Sequence, residues 1–268
     1  MAAEEAAVAA SPVAAEAVSD EPFYEVPMLS IVVPAYNEGE HIFENLSVID
    51  KSVSAFASDY EIIAVNDGSR DNTGAEIARA AAVNPRIRDC GYEKNRGKGG
   101  AVTWGINNSH GDIVGFVDAD LDLNPSQFEG YVKEMLATDA DIVIGSKMHK
   151  DSKLEYPFAR KVFSLCYYIM LKVLFGLKCH DTQTGIKLYR GDLIRKIAPL
   201  RKVDGFAFDI ELLALANKCG AKLVEMPVEL NFTRGQSFGR IKFKDVWKMF
   251  TDTWKIWWDL RIRKKYQI

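Results

Sequence analysis

The sequence predicts an α/β fold, in which a mostly parallel β-sheet is flanked by helices and a C-terminal amphipathic helical segment follows. The first observation is that short apolar runs alternate with helical stretches from Leu29 onward. Single helices between consecutive strands imply parallel pairing through right-handed crossovers. The second is that 268 residues, of which 48% are hydrophobic and 26% charged, can bury one substantial core.

The predicted elements follow a regular order in the first half of the chain and a less regular one in the second. Asp71-Asn72-Thr73 is typical of the cap of a helix, here one that continues through an Ala-rich stretch. The predicted strands cover residues 30–33, 61–65, 86–92, 112–117, 141–145, 185–189 and 222–228. The predicted helices cover residues 39–56, 71–83, 157–177 and 208–218, with a last one from Phe243.

The two ends of the chain carry opposite charge. Residues 1–27 contain six acidic residues and no Lys or Arg, whereas residues 240–268 contain nine basic and three acidic residues. The Ala-rich start lacks the basic region and Leu-rich core of a signal peptide, so we expect a disordered tail over 1–27. Residues 28–240 are the predicted folded domain, and residues 241–268 its appendage.

Cysteine usage and hydropathy indicate the compartment. The four cysteines are scattered without a C-x-x-C pair, which argues against a disulfide framework or a zinc site and favours a reducing compartment. No run reaches the ~18 consecutive apolar residues that span a bilayer, and the nearest, residues 162–177, contains Lys172. These features favour a cytoplasmic location.

Polar residues follow three predicted strands at the point where each strand ends, at 36–38, 66–69 and 118–120. Ligands of open α/β sheets bind outside the carboxyl ends of the strands. Turn chemistry explains Asn, Asp and Gly at any one of these ends. Because three strands deliver carboxylates and amides to one edge, the pattern favours a ligand site there.

Asp118-Ala119-Asp120 predicts a metal site. Residues two apart in an extended segment point the same way, so the two carboxylates face a common site while Ala119 packs behind. Carboxylate oxygens suit Mg²⁺ or Mn²⁺, which keep open positions for phosphate oxygens, and Asp122 is a third candidate ligand. A bare D-x-D is also an ordinary acidic turn; its position after the apolar run 113–117 favours the metal site.

The segment Asn95-Arg96-Gly97-Lys98-Gly99-Gly100-Ala101 supplies positive charge. Glycines permit close approach of the backbone to an anion, and we expect free N–H groups where the following helix starts. The spacing of a Walker A loop is absent. A helix start that is merely rich in glycine is the alternative.

The ordered motifs identify a resemblance. They are Ile31-Val32-Val33-Pro34-Ala35-Tyr36-Asn37-Glu38, Val65-Asn66-Asp67-Gly68-Ser69-Arg70-Asp71, Asn95-Arg96-Gly97-Lys98-Gly99, Asp118-Ala119-Asp120, Asp181-Thr182-Gln183-Thr184-Gly185-Ile186-Lys187 and Phe206-Ala207-Phe208-Asp209-Ile210-Glu211-Leu212. With these, residues 29–240 resemble the inverting glycosyltransferases of family 2, which have a GT-A fold, and within them the dolichyl-phosphate glucosyl- and mannosyltransferases. The resemblance implies transfer of a hexose from a nucleotide-sugar, UDP-sugar rather than GDP-mannose being favoured, to a dolichyl or polyprenyl phosphate. Such lipid-linked sugars supply protein glycosylation or cell-surface glycans.

The resemblance also implies roles for residues at the donor site. Its nucleotide-sugar-binding residues would be Pro34, Ala35, Tyr36, Glu38, Asp67, Lys98, Asp118, Ala119 and Asp120. The first four would line the nucleoside pocket, Asp67 would read the base, and Lys98 would approach the diphosphate. Asp118, Asp120 and Asp122 would bind Mg²⁺ or Mn²⁺, although related enzymes often carry Gln at the third of these positions.

On the acceptor side, the resemblance places Lys147, Arg160 and Ser164 against the acceptor phosphate. An ionised phosphate needs positioning more than deprotonation, whereas a sugar hydroxyl acceptor would need a base. Asp181 and Asp209 are the candidate catalytic carboxylates, and the sequence does not separate them.

The C-terminal segment combines aromatic and basic residues. Apolar residues recur at steps of three and four, at Phe243, Val246, Trp247, Phe250, Trp254, Trp257 and Trp258. Basic residues follow at Arg261, Arg263, Lys264 and Lys265. This pattern predicts either a helix on an anionic membrane surface, which would make the protein peripheral on the cytoplasmic face, or a helix packed against protein. No nucleic-acid partner is expected.

Three other functions remain open. The same fold could use a lipid- or polysaccharide-linked hydroxyl as acceptor. A sugar-phosphate nucleotidyltransferase also uses paired aspartates, but it would need a basic Gly-rich loop after the first strand, and residues 34–38 are not one. A non-catalytic binding module is disfavoured because many site positions carry competent residues.

Overall fold

The computed structural model describes residues 25–152, 158–205, 207–229 and 243–267, and within these ranges the side chains of residues 158–166 and 243–246 are not described. Residues 1–24 of the predicted tail therefore lie outside the described residues. So do the side chains of Arg160 and Ser164, predicted at the acceptor phosphate, and those of Phe243 and Val246.

Seven strands and eight α-helices are present in the described residues. The strands are β1 Leu29–Ala35, β2 Tyr60–Asp67, β3 Ile87–Tyr92, β4 Ile113–Val117, β5 Ile142–Ser146, β6 Ile186–Arg190 and β7 Leu223–Pro227. The helices are α1 Ile42–Ser54, α2 Thr73–Val83, α3 Gly97–Asn107, α4 Gln127–Thr138, α5 Phe158–Phe175, α6 Gly191–Ile197, α7 Phe208–Lys218 and α8 Phe243–Trp257. All predicted strands are confirmed, and α4 and α6 are elements that the sequence analysis did not identify.

The strands form one sheet in the order β3-β2-β1-β4-β6-β5-β7. The sheet is mostly parallel, as predicted, but β6 runs antiparallel to both β4 and β5. Ile186 at the start of β6 pairs with Val117 at the end of β4. The chain therefore leaves β5 and enters β6 at the carboxyl edge of the sheet, the edge at which ligands bind in open α/β sheets, and residues 147–185 are called the 147–185 excursion.

Two apolar clusters cover the two faces of the sheet, as alternating strand residues require. Val32 and Ile63 belong to the cluster that α3, α5, α6, α7 and α8 help to form. Ile31 and Ile62 belong to the opposite cluster, which is covered by α1, α2 and α4. The result is a three-layer α/β/α arrangement.

The C-terminal helix α8 packs one face into the first cluster through Ile256, and a π-helical turn at Trp258–Ile262 follows. Trp257 is partly buried against that cluster, and its ring also contacts the rings of Trp254 and Trp258, at centroid distances of 5.2 and 6.2 Å. Because each helical residue advances by 100°, Trp257 lies about 60° from Trp254 and about 100° from the buried Ile256, at the border between the exposed and packed faces. Within the described residues, no helix has the length and hydropathy needed to span a bilayer.

Candidate active site at the carboxyl edge of the sheet

The loops that follow β1 and β2 are tied together by side-chain hydrogen bonds. The N–H of Asn37 donates to Ser69 Oγ at 3.1 Å, and its Oδ1 accepts from the N–H of Arg70 at 2.9 Å. Asn37 can serve both bonds because it takes a left-handed backbone conformation, with φ of 55°. Two of the three strand ends predicted to meet at one edge are therefore joined directly.

The Asp118-Ala119-Asp120 segment directly follows β4 in the middle of the sheet. Ala119 is buried, as predicted, and its carbonyl accepts a 2.7 Å hydrogen bond from Asn45 Nδ2 of α1. Behind Asp118 lies Gly185, where a Cβ would overlap the carboxylate. These contacts fix the backbone from which the two aspartates project.

The electrostatics of this segment are dominated by negative charge. Lys98 Nζ lies 2.5 Å from Asp118 Oδ1. Burial alone lowers the pKa of Lys98, but the carboxylates of Asp118, Asp209 and Asp120 outweigh it and raise that pKa. Burial, with the charges of Asp118 and Asp122, raises the pKa of Asp120 to about 6. The cluster thus has more carboxylates than cations.

The oxygen atoms of the aspartates determine whether this segment can bind a metal ion. Asp118 and Asp120 offer hard oxygens in a site whose excess negative charge a divalent cation would relieve. In the part of the chain that the structure describes, however, no three His, Cys, Asp or Glu side chains are grouped to hold a metal. Two carboxylates fit a Mg²⁺ or Mn²⁺ that takes its other ligands from phosphate. A role for the exposed Asp122 as third ligand stays a prediction.

The glycines at the start of α3 are used for packing. A Cβ on Gly99 would lie 2.6 Å from Phe208 Cβ, and one on Gly97 would lie 3.0 Å from the carbonyl oxygen of Asp204. The N–H of Gly99 donates to that same oxygen at 3.2 Å. The expectation of free N–H groups here is therefore wrong at Gly99, because the segment before α7 already occupies that donor.

The remaining residues that were predicted to bind the donor lie around the same edge. Asp67 is buried, and its carboxylate accepts from the hydroxyl of Tyr92 at 2.7 Å and the N–H of Arg96 at 2.7 Å. It thereby shapes the loop that leads to Lys98, and its reading of a base stays a prediction. Tyr36 is exposed and Pro34 is half-buried, and their contact with a nucleoside stays a prediction. Ala35, the last residue of β1, is buried, and the N–H of Glu38 bonds Thr73 Oγ1 at 2.9 Å.

Asp181 organises a turn at the end of the 147–185 excursion. Its Oδ2 accepts from the N–H of Lys147 at 3.0 Å and from Thr184 Oγ1 at 2.6 Å, and its Oδ1 accepts from the N–H of Gln183 at 3.0 Å. The structure thus brings Asp181 and Lys147 together next to β5. A catalytic role for Asp181 and an acceptor-phosphate role for Lys147 stay predictions.

Asp209 is engaged with a residue that the sequence analysis did not assign to the site. Lys187 of β6 is fully buried, and its Nζ donates to Asp209 Oδ1 at 2.7 Å and to the carbonyl of Thr184 at 2.6 Å. Burial raises the pKa of Asp209 despite the nearby charges of Lys187 and Lys98. A lysine inside the apolar run of residues 186–189 was the available signal, since a buried charge needs a partner.

Two polar atoms at this edge are buried without a hydrogen-bond partner among the described residues, Ser146 Oγ at the end of β5 and Gln183 Nε2 in the Asp181 turn. Such orphaned atoms are rare in folded proteins. Their position beside Lys147 and Asp181 is consistent with a ligand that completes the site.

Comparison with known proteins identifies the family of the chain. Residues 30–198 match the family described as Glycosyl transferase family 2. A dolichyl-phosphate beta-glucosyltransferase of Trichomonas vaginalis is 34% identical over 215 residues, which cover 75% of this chain and 63% of that protein. One of Dictyostelium discoideum is 33% identical over 213 residues, with 75% and 65% covered. The match therefore spans less than two thirds of the length of these two relatives.

Solved structures share the fold at lower identity. Glucosyl-3-phosphoglycerate synthase of Mycobacterium tuberculosis, crystallised with Mn²⁺, UDP and phosphoglyceric acid, has a TM-score of 0.62 at 19% identity, covering 87% of this chain and 78% of that one. A mannosyltransferase of Pyrobaculum calidifontis with GDP-Man and Mn²⁺ has a TM-score of 0.54 at 20% identity, covering 81% and 62%. The chain has the GT-A fold and belongs to glycosyl transferase family 2.

Proposed function

We propose that this chain transfers glucose from UDP-glucose to dolichyl phosphate or a related polyprenyl phosphate, with inversion at the anomeric carbon. The observation that carries the proposal is the Asp118, Asp120 and Lys98 cluster at the carboxyl edge of a family 2 chain. The names of the relatives support the sugar and the acceptor. The UDP and GDP-Man complexes of the structural neighbours support a nucleotide-sugar donor.

Donor binding would use the residues at the ends of β1, β2 and β4. Pro34, Ala35, Tyr36, Glu38 and Asp67 would hold the nucleoside. Lys98 would exchange its contact with Asp118 for the diphosphate, which leaves the two aspartates to a divalent cation. That cation, Mg²⁺ or Mn²⁺, would neutralise charge on the departing diphosphate.

In the transfer step, an acceptor phosphate oxygen attacks C1 of the glucose. The bond from C1 to the β-phosphate oxygen breaks, and its electron pair leaves with UDP. The attacking oxygen is already ionised near neutral pH, so no proton has to be removed. We assign neither Asp181 nor Asp209 as a base, because Asp181 is bonded to three donors and Asp209 is buried against Lys187.

The acceptor would be gripped on the side of the 147–185 excursion. Lys147 lies at the start of that segment, and the positions of Arg160 and Ser164 are in α5. Cationic groups placed there would orient the phosphate and offset its charge as it approaches the donor diphosphate.

The outer face of α8 and of the π-helical turn that follows it would hold the protein at the cytoplasmic surface of a membrane. Trp247, Trp254 and Trp258 are 67, 56 and 42% exposed and recur at helical spacing. Arg261 and Lys264 are exposed beyond them. An aromatic face that ends in basic residues suits the interface of an anionic leaflet, where a polyprenyl phosphate has to be met.

The activity is tested with labelled UDP-glucose, a short polyprenyl phosphate and Mg²⁺ or Mn²⁺. We expect glucosyl-phosphoryl-polyprenol, with GDP-mannose and polyprenol as poor substitutes for donor and acceptor. Equal transfer to polyprenol would show that the acceptor group is a hydroxyl rather than a phosphate. Preference for GDP-mannose would show that the donor is not UDP-glucose. No transfer with any of these pairs would refute the proposal.

The membrane surface is tested by cosedimentation with anionic and neutral vesicles. Trp254→Gln with Trp258→Gln should release the protein from anionic vesicles. Val48→Gln with Val83→Gln, which changes exposed apolar side chains on α1 and α2, serves as the matched control and should leave binding intact. Failure of the wild-type protein to cosediment with anionic vesicles would contradict this assignment.

A further inference from the structure

The C-terminal residues that follow α8 fold back onto α7. Tyr266 is buried, and its hydroxyl donates to Glu211 Oε1 at 2.6 Å. Lys202 Nζ donates to the carbonyl of Lys265 at 3.1 Å and also lies 4.4 Å from the centre of the Tyr266 ring. The C-terminal residues therefore contact two elements at once, α7 and the segment before it.

Glu211 holds that segment by its main chain. The carboxylate is fully buried and accepts from the N–H of Lys202 at 2.8 Å through Oε1 and from the N–H of Val203 at 2.9 Å through Oε2. Tyr266 shares Oε1 with Lys202. A buried carboxylate with three such donors is rigid, and removal of one donor leaves it under-satisfied.

Residues 201–205 also pack against the start of α3. The carbonyl of Asp204 accepts from the N–H of Gly99, and Arg201 Nε donates to Thr103 Oγ1 at 2.6 Å, one turn further along α3. Gly97 and Gly99 have no room for a Cβ on this side without a shift of Asp204 or Phe208. Lys98 lies between these two glycines, so its backbone position is set by residues 201–205.

We propose that Tyr266 is a positioning residue for the donor site, which acts through Glu211 and residues 201–205 to hold Lys98 where it meets the donor diphosphate. This inference deepens the proposed function and rests on its assignment of Lys98. The C-terminal residues would then help to position Lys98, in addition to the packing of α8 into the first apolar cluster.

The chain offers a matched control for the loss of this hydroxyl. Tyr60 is also buried, and its hydroxyl also donates to a carboxylate, Asp50 Oδ1, at 2.6 Å. That pair joins β2 to α1 on the opposite face of the sheet. Tyr266→Phe and Tyr60→Phe therefore each remove one tyrosine hydroxyl from a carboxylate, and only the carboxylate of Glu211 holds the segment that contacts the start of α3.

The test uses the full chain and two readouts. The first is UDP affinity by calorimetry with Mn²⁺, and the second is hydrogen exchange of the amides in 97–103 and 201–205. We expect Tyr266→Phe to weaken UDP binding about threefold to tenfold and to speed exchange in both segments. Tyr60→Phe should leave both readouts at wild-type values. In turnover assays, KM for the donor should rise while KM for the acceptor stays constant.

A second variant covers the case in which Tyr266→Phe does not fold. Lys202→Met removes the exposed bond to Lys265 without emptying the core, and should change both readouts in the same direction by a smaller factor. Wild-type exchange in 97–103 in both Tyr266→Phe and Lys202→Met would overturn the inference, and so would an equal response to Tyr60→Phe. Hydrogen exchange needs no substrate. If the wild type fails to transfer glucose while Tyr266→Phe still loosens 97–103, the proposed function fails and the positioning link stands.

Discussion

The two edges of the sheet both carry acidic residues, but they treat them in opposite ways. At the amino edge, Glu61 is buried and accepts from Ser30 Oγ at 2.7 Å, Arg88 Nη1 at 2.5 Å and the N–H of His110 at 2.8 Å. Burial raises the pKa of Glu61, but these hydrogen bonds outweigh it, so that the pKa lies below 4.5. Glu61 and Arg88 thus form an ion pair within the fold.

At the carboxyl edge the carboxylates are in excess. Asp118 has Lys98, whereas burial and the charges of Asp118 and Asp122 raise the pKa of Asp120 to about 6. Balanced networks stabilise a fold, while an unbalanced one is a site prepared for a ligand of opposite charge. The difference between the two edges therefore separates a structural network from a candidate catalytic one.

The largest expected effect is on activity at the carboxyl edge. Asp120→Asn should lower glucose transfer by about 10²-fold or more, because it removes charge that would hold the cation at the leaving diphosphate. The melting temperature should stay constant or rise, since like-charge repulsion is relieved. Asp112→Asn, an exposed carboxylate just before β4, is the control and should retain wild-type kcat. Full activity in Asp120→Asn would remove the metal assignment.

The next largest effect is on stability at the amino edge. Glu61→Gln should lower the free energy of unfolding by about 1–3 kcal/mol, because donors that face the carboxylate lose their charged acceptor. Urea unfolding measures this change, and KM and kcat should stay at wild-type values. Glu129→Gln, in an exposed pair with Lys133, should change stability by less than about 0.5 kcal/mol. If Glu61→Gln loses activity under conditions in which it is fully folded, Glu61 is not merely structural and the contrast between the two edges is wrong.

The pH dependence of stability should have opposite signs at the two edges. The pKa of Glu61 is lowered by folding, so its stabilisation is present above its ordinary value of 4.5 and is lost as the pH falls through the folded value. The pKa of Asp120 is raised, so the metal-free protein should lose up to about 2 kcal/mol as the pH rises from about 4 to 6. Urea unfolding in EDTA, with Glu61→Gln and Asp120→Asn, separates the two slopes. The same slope in all three proteins would contradict the assignment.

The sequence predicts the carboxyl edge well where the chemistry is local. The apolar run before Asp118 and Asp120 predicts their position at the end of a strand. Ala119 between them is buried, as expected. Strand direction was not accessible, because the apolar run of β6 has the same periodicity in either orientation. The antiparallel β6 is what returns Asp181 to the site.

Contacts between residues far apart in the chain were also out of reach. Lys187 and Asp209 are a buried pair, yet in the sequence each is only a charge in an apolar element. The same holds for Tyr266 and Glu211, which are 55 residues apart. The glycines near Lys98 suggested an open anion site, whereas their small size accommodates residues 204 and 208.

The excess carboxylates at the carboxyl edge should bind a divalent cation together with the donor diphosphate. The most direct test compares the melting temperature in UDP with saturating Mn²⁺ and the melting temperature in UDP with EDTA. It is measured for the wild-type, Glu61→Gln and Asp120→Asn proteins. We expect rises of about 3–5 °C in the first two and none in Asp120→Asn, as preferential binding to the folded state requires. An equal rise in Asp120→Asn would show that the metal binds elsewhere and would contradict the account.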